Sequence, residues 1–198
     1  VAHDEINPEL GGFEGFARFT QALKGHGMGQ LLDLVPNHMG VLGADNPWWL
    51  DVLENGEDSA YARFFDIEWQ PLDADLAGKV LLPVLGDSYG AILERGELRL
   101  TLDEAAGAFS VRYHAHRFPL SPASYAQVLL WAEGLVDDAE VQAAFASIGH
   151  AFVHLPRVDA AREVRAREQA MAHARLVALL RTQPAAAPAL HAALEAWN

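Results

Sequence analysis

The chain has 198 residues, a formal net charge of −13 and no cysteine. Disulfides are therefore excluded, and the acidic balance repels phosphate backbones and anionic lipid head groups, so neither nucleic acid nor a membrane surface is an expected partner. Apolar residues make up 51% of the sequence, enough for a sizeable core, yet no stretch approaches the roughly 20 continuous apolar residues of a membrane span.

No internal repeat is visible, and no basic segment precedes an apolar one as in a signal peptide. The sequence opens on Val1 and runs straight into a polar stretch, VAHDEINPELGG, which leads to the expectation of a piece of something longer. Residues 13–24, FEGFARFTQALK, place Phe16, Phe19 and Leu23 on one helical face, and Gly25, Gly27 and Gly29 stop the helix. GQLLDLVP follows, with Leu31, Leu32, Leu34 and Val35 apolar on both faces, the pattern of a parallel strand covered on both sides. Helix, loop and buried strand read as one αβ step of a repeated α/β fold.

The pattern then changes. Residues 40–58 read as loop and short helix around NPWWLDVLENG, with Asn46 as cap and Pro47 in the first turn. SAYARFFDIEW supplies a second helical piece, and KVLLPVLG a short strand interrupted by Pro83. ELRLTLDE and AFSVRYHA alternate on either side of Ala105, Ala106 and Gly107, which predicts an antiparallel hairpin. HRFPLSP ends that region. SPASYAQVLLWA predicts a helix capped by Ser121 or Ser124. From about residue 138 the chain reads as helical, with Ala161, Val164, Met171, Ala174 and Ala178 in one stripe, widened by Leu176, Val177, Leu179 and Leu180. Glu163 and Arg167 are spaced to pair on the wet face. TQPAAAP is a loop before a last short helix.

The densest chemistry lies in DLVPNH, residues 33–38. Strand ends in parallel α/β folds face the ligand crevice, and a carboxylate among leucines needs a charged or hydrogen-bonding partner. Asp33, Asn37 and His38 therefore form a candidate polar site. The competing reading pairs Asp33 with an arginine for stability and leaves Asn37 and His38 as turn residues. Trp48 and Trp49 suit stacking on sugar faces, but they point about 100° apart on a helix, so ordinary packing is the expectation for at least one. His114 and His116 form a His-x-His pair on one strand face without a third ligand, and HAFVH at 150–154 lacks the glutamate of a zinc-protease helix, so no metal is expected. Asp51, Glu54, Glu57 and Asp58 read as a solvated face rather than an acid–base pair. No phosphate-binding glycine loop follows a strand.

DLVPNH resembles the first motif of the α-amylase superfamily, glycoside hydrolase family 13, which ends the third strand of a (β/α)8 barrel. HDEINPELGG, GMGQLLDLVPNHMG, DNPWWLDVLENGEDSAYARFFDIEW, KVLLPVLGDSYG and HRFPL, in that order, are similar to the maltooligosyltrehalose synthase branch through about residue 125. The resemblance implies an α/β to α+β chain: a barrel fragment at 1–38, an inserted small β-containing domain at 39–120 and a helical segment at 121–198. It implies an enzyme that turns the reducing-end α-1,4 linkage of a maltooligosaccharide into an α,α-1,1 linkage, by retaining glycosyl transfer between two carboxylates. His38 would hydrogen-bond the sugar, Asp33 would orient an arginine near the nucleophile, and Asn37 would hold the loop. Trp48, Trp49, Arg117 and His3 would line the wall of the cleft. The family's nucleophilic aspartate, acid glutamate and third aspartate belong to later motifs that do not occur in this sequence, so no catalytic residue is expected in it and the chain alone is expected to be inactive. Ala2 and Ala115 stand where aspartates are expected. The resemblance further implies no cofactor, no metal, a cytoplasmic setting, a maltooligosaccharide substrate and, as partner, the remainder of a parent chain. A second class of function, a carbohydrate-binding or purely structural module, stays open. The apolar GQLLDLV strand, lacking neighbours, is expected to seek an edge and to favour a dimer.

Overall fold

The computed structural model describes residues 5–33, 40, 41, 46–157 and 162–198. The chain divides into two compact units, Val1–Val41 and Leu42–Asn198.

In the first unit, a turn of 3-10 helix at Pro8–Leu10 leads into α1, Gly12–Gly25. The predicted helix is present, but none of its residues is buried. Phe13 and Phe19 are exposed, and Phe16 and Leu23 are only half-buried. The strand expected in GQLLDLV is not formed over its described residues, 29–33, which carry no ladder. Leu31 is 93% exposed and Leu32 70% exposed. The physical reason is simple: a strand exists by virtue of its hydrogen-bonded neighbours, and among the described residues none pairs with these. Leu34, Val35, Asn37 and His38 lie outside the described residues.

The second unit begins with α2, Pro47–Asn55. Asn46 caps it as expected, its side-chain oxygen accepting from the Trp48 and Trp49 amides at 3.1 and 3.2 Å, and Gly56 ends it. SAYARFF yields only a 3-10 turn at Ala62–Phe64. After a short helix, α3 (Tyr89–Glu94), comes a three-stranded antiparallel sheet in the order β1 (Arg99–Asp103), β2 (Ala108–Tyr113), β3 (His116–Pro119). The hairpin read from the alternation is β1–β2, in the register Thr101 opposite Ser110. Its turn is built by Asp103, whose carboxylate accepts from the Ala105 and Ala106 amides at 3.0 and 3.1 Å, and by Gly107 at φ +62°.

Three expectations are corrected in this unit. HRFP is a third strand rather than the end of the region. Residues 79–85 form no strand, because Pro83 has no N–H to give a ladder and Val84 turns back to the Leu82 carbonyl at 2.9 Å. His114 and His116 do not share a strand face: His114 has φ +50° in the turn between β2 and β3, and only His116 is in a strand.

The remaining chain is helical: α4 (Pro122–Glu133), α5 (Ala139–Val153), α6 (Arg162–Thr182) and α7 (Ala186–Trp197). Helix α5 packs between α4 and α6, and α7 lies against α4 and β1. The α4–α5 approach is close because Gly149 faces Ala126, where a Cβ would sit 3.3 Å from the Ala126 Cα. Tyr125, Val128, Leu129, Phe145, Ile148, Phe152, Leu176 and Leu190 form the core, joined from the sheet by Phe109. Each such side chain contributes about 1.5–3 kcal/mol of hydrophobic stabilisation. The predicted division at residue 120 thus falls inside one unit, because Phe109 of β2 belongs to the helical core.

The stripe predicted on α6 is rotated in its first part: Ala161 lies outside the described residues, while Leu176 and Leu179, read as widening the stripe, are buried. Val164, Met171, Ala174 and Ala178 are exposed, and the buried face is Arg165, Gln169, Ala172, Leu176 and Leu179. Two of those five are polar, so hydrophobicity alone finds the C-terminal part of the buried face and misses the N-terminal part. No ion pair joins Glu163 and Arg167, both exposed.

Candidate functional site

Of the site residues predicted from sequence, Asp33 is described and exposed, whereas His3, Asn37 and His38 fall outside the described residues. The rest lie in the second unit. Trp49 is 5% exposed and packs on Phe65, ring centroids 5.0 Å apart, so it is a core residue rather than a sugar platform. Trp48 turns to the other side of α2. It stacks on Tyr61 at 5.0 Å with planes 11° apart and meets Phe64 at 5.2 Å. Arg63 sits over the Phe64 ring at 5.1 Å. The result is a half-exposed aromatic surface with a cationic edge, at the height of the 3-10 turn. Arg117, half-buried on β3 opposite Arg112, stands apart from this surface in role: it belongs to the sheet register.

Beside α2 opens a cleft of about 450 Å3. Val52, Leu82, Phe118, Phe152 and Leu155 give it an apolar floor, and Asn55, Asp58, Trp69, Lys79, Arg157 and Arg165 give it polar edges. Arg117 does not line it, although its neighbours Phe118 and Pro119 do.

The carboxylates read as a solvated face are mostly not solvated. Only Glu57 is exposed. Asp51 accepts from the Ser59 hydroxyl and from the Asn55 amide at 3.4 Å. Asn55 in turn accepts from the Arg165 guanidinium at 3.2 Å, and that guanidinium also donates to the Pro156 carbonyl at 2.9 Å and faces Asp58 at 3.7 Å. Ser59 accepts from the Tyr61 amide at 3.0 Å, so the network ends directly beneath the aromatic surface. Burial pushes the Asp51 carboxyl up, against the opposing Ser59 hydrogen bond, and the nearby Glu54 charge adds to the rise. A second branch joins Glu54 to Gln169 at 2.8 Å and to His173 at 3.5 Å.

Sequence reasoning missed this network. The local signal was present in the spacing Asp51, Glu54, Asn55 and Asp58, which shares one helical face. Its partners Arg165 and Gln169 are more than a hundred positions away and have no motif. Of the histidine pair at 150 and 154, the rings stack at 3.8 Å and His154 binds the His150 carbonyl through Nδ1 at 2.8 Å, a helix-end arrangement. His116 stacks on Phe118.

Comparison with known proteins adds what the side chains alone do not. A putative maltooligosyl trehalose synthase of Mycobacterium tuberculosis is 41% identical over 111 residues. Over that stretch the chain is similar to a maltooligosyl trehalose synthase. The match covers 52% of this chain and 14% of that relative, so the chain spans a small part of the protein it resembles. An intracellular maltogenic amylase of Bacillus subtilis is 37% identical over 70 residues, which covers 35% of this chain and 11% of the amylase. No protein-family model matches the chain, and no solved structure does. Among the described residues, no helix is long and apolar enough to cross a membrane.

Proposed function

We propose that this chain forms part of the substrate cleft of an enzyme that rearranges the reducing end of maltooligosaccharides, converting the terminal α-1,4 linkage into an α,α-1,1 linkage. The observation that carries the reading is the 41% identity to a putative maltooligosyl trehalose synthase. In this proposal residues 1–38 belong to a (β/α)8 barrel, and His38, Asp33 and Asn37 grip the sugar next to the scissile bond. The chemistry is a retaining transfer: a carboxylate attacks the anomeric carbon, a carboxylic acid protonates the leaving oxygen, and the released glucose turns over and attacks in its place. Water has to be excluded through that step, or hydrolysis wins. The two reactive carboxylates are supplied by other parts of the protein, because their motifs are absent from this sequence.

The aromatic surface of Trp48, Tyr61 and Phe64 favours a second reading, a carbohydrate-binding module acting by itself. Tryptophan fluorescence during titration with maltopentaose separates the two. Weak binding, at about millimolar or beyond, supports the incomplete cleft, and binding at about micromolar supports the module and overturns the first reading.

A further inference from the structure

Among the described residues, His191 faces Glu104 at 3.1 Å but is exposed, whereas His173 is a largely buried histidine at which a proton changes a contact between elements. Its ring is mostly buried, edge-on to Tyr125 at 5.5 Å and to Phe152 at 5.0 Å. Nδ1 donates to the Gly107 carbonyl at 2.9 Å, which fixes that nitrogen as the protonated one in the neutral ring. Nε2 then faces Glu54 at 3.5 Å. The imidazolium offers Glu54 an N–H and a charge. The neutral ring offers it a lone pair, against a carboxylate. One proton therefore turns an attraction into a repulsion, at a point where α6 meets both α2 and the β1–β2 turn.

The groups around the ring leave little else to decide its charge. Helix α2 contributes Glu54, α4 the Tyr125 phenol, α5 only the Phe152 ring, and the hairpin only a backbone carbonyl. Gln169, one turn earlier on α6, holds Glu54 in place at 2.8 Å whatever the state of the histidine. An open groove of about 830 Å3, lined by Glu54, His173, Ala106, Val177 and Arg181, brings solvent protons to the pair.

We propose that His173 is a proton-operated latch: charged, it adds an ion pair that tightens α2 onto α6, and neutral, it loosens that fastening, leaving α2 to the Gln169 and Arg165 contacts. Because α2 carries Trp48, the latch sets how firmly the aromatic surface is held. The direction of the response follows from the ring's surroundings. Burial opposes the charge, but the hydrogen bond to Glu54, the Gly107 carbonyl and the Glu54 charge together outweigh it, and the ring titrates above its ordinary value of 6.5. A group raised in the folded state stabilises fully below its unfolded value and loses that contribution as pH rises through the folded one. The latch is thus closed in mildly acidic solution and opens on the alkaline side.

Amide hydrogen exchange of the whole protein, corrected for the intrinsic pH dependence, tests this between about pH 6 and about pH 9. Protection of the peptide spanning 47–58 is expected to fall roughly five- to tenfold across that range, while α5 stays constant. Glu54→Gln and His173→Gln are each expected to abolish the fall. Constant protection in the unmodified protein, or a fall that survives Glu54→Gln, would overturn the latch. If His173→Gln fails to fold, the unmodified protein and Glu54→Gln decide the matter without it.

Discussion

Replacing Gly107 by alanine should cost far more than the same change at Gly96, and the difference can be worked from geometry. Both glycines have left-handed backbone, φ +62° at Gly107 and φ +63° at Gly96. That conformation costs an L-residue about 1–2 kcal/mol at either position. Their surroundings differ. A Cβ at Gly96 would find its nearest neighbour, a flexible Arg99 guanidinium, 3.9 Å away. At Gly107 it would lie 2.8 Å from the His173 carbonyl oxygen and 3.0 Å from a Val177 methyl. The first of these is helix backbone, so the hairpin or α6 must shift. Overpacking of that kind adds about 1–3 kcal/mol. Gly107→Ala is therefore expected to lose about 2–5 kcal/mol and Gly96→Ala about 1–2 kcal/mol. Urea unfolding followed by circular dichroism measures both. Losses that agree within about 0.5 kcal/mol would refute the claimed close approach of turn and helix.

Tyr125→Phe removes the hydroxyl that accepts from the Phe109 amide at 3.0 Å and leaves that buried N–H unsatisfied. A loss of about 1–3 kcal/mol is expected in the same unfolding assay, and a neutral result would mean that the amide finds another acceptor. Trp49→Ala should lower stability by about 3–5 kcal/mol, as for a buried aromatic. Trp48→Ala should lower it less and, if the proposed cleft is right, should weaken maltooligosaccharide binding in the complete protein; calorimetry that finds the reverse order would exchange the roles of the two tryptophans. The first unit exposes Leu10, Phe13, Phe19, Leu31 and Leu32, so the 198-residue polypeptide is expected to self-associate. Light scattering that gives a monomer at about 100 μM would speak against it.

How much of this was legible beforehand depended on range. Signals contained within about ten residues translated well. The Asn46–Pro47 start of α2, the hairpin around Ala105–Gly107 and the helix after Ser121 are all present. Each is fixed by turn chemistry, a cap or alternation close to itself. Signals that need a distant partner did not translate. GQLLDLV has strand composition, yet its described part has no ladder, because pairing is a property of two segments. The first part of the α6 face was misjudged because Arg165 and Gln169, buried by pairing with residues on α2, look like solvent-facing positions in any hydrophobicity pattern. For the candidate site, the separation of the two tryptophans followed from helical geometry alone. The network from Arg165 through Asn55 and Asp51 to Ser59 could not, since it is assembled by folding.

The most direct test of the central proposal is a product assay on maltopentaose. The complete protein that carries these residues is incubated beside the 198-residue polypeptide, and loss of reducing ends is followed together with the appearance of an α,α-1,1-linked terminus by NMR. The complete protein is expected to consume reducing ends without releasing much glucose, and the isolated chain to do nothing. Conversion by the isolated chain would mean that its own side chains break the bond, and a complete protein that leaves the reducing end intact would remove this chain from that chemistry altogether.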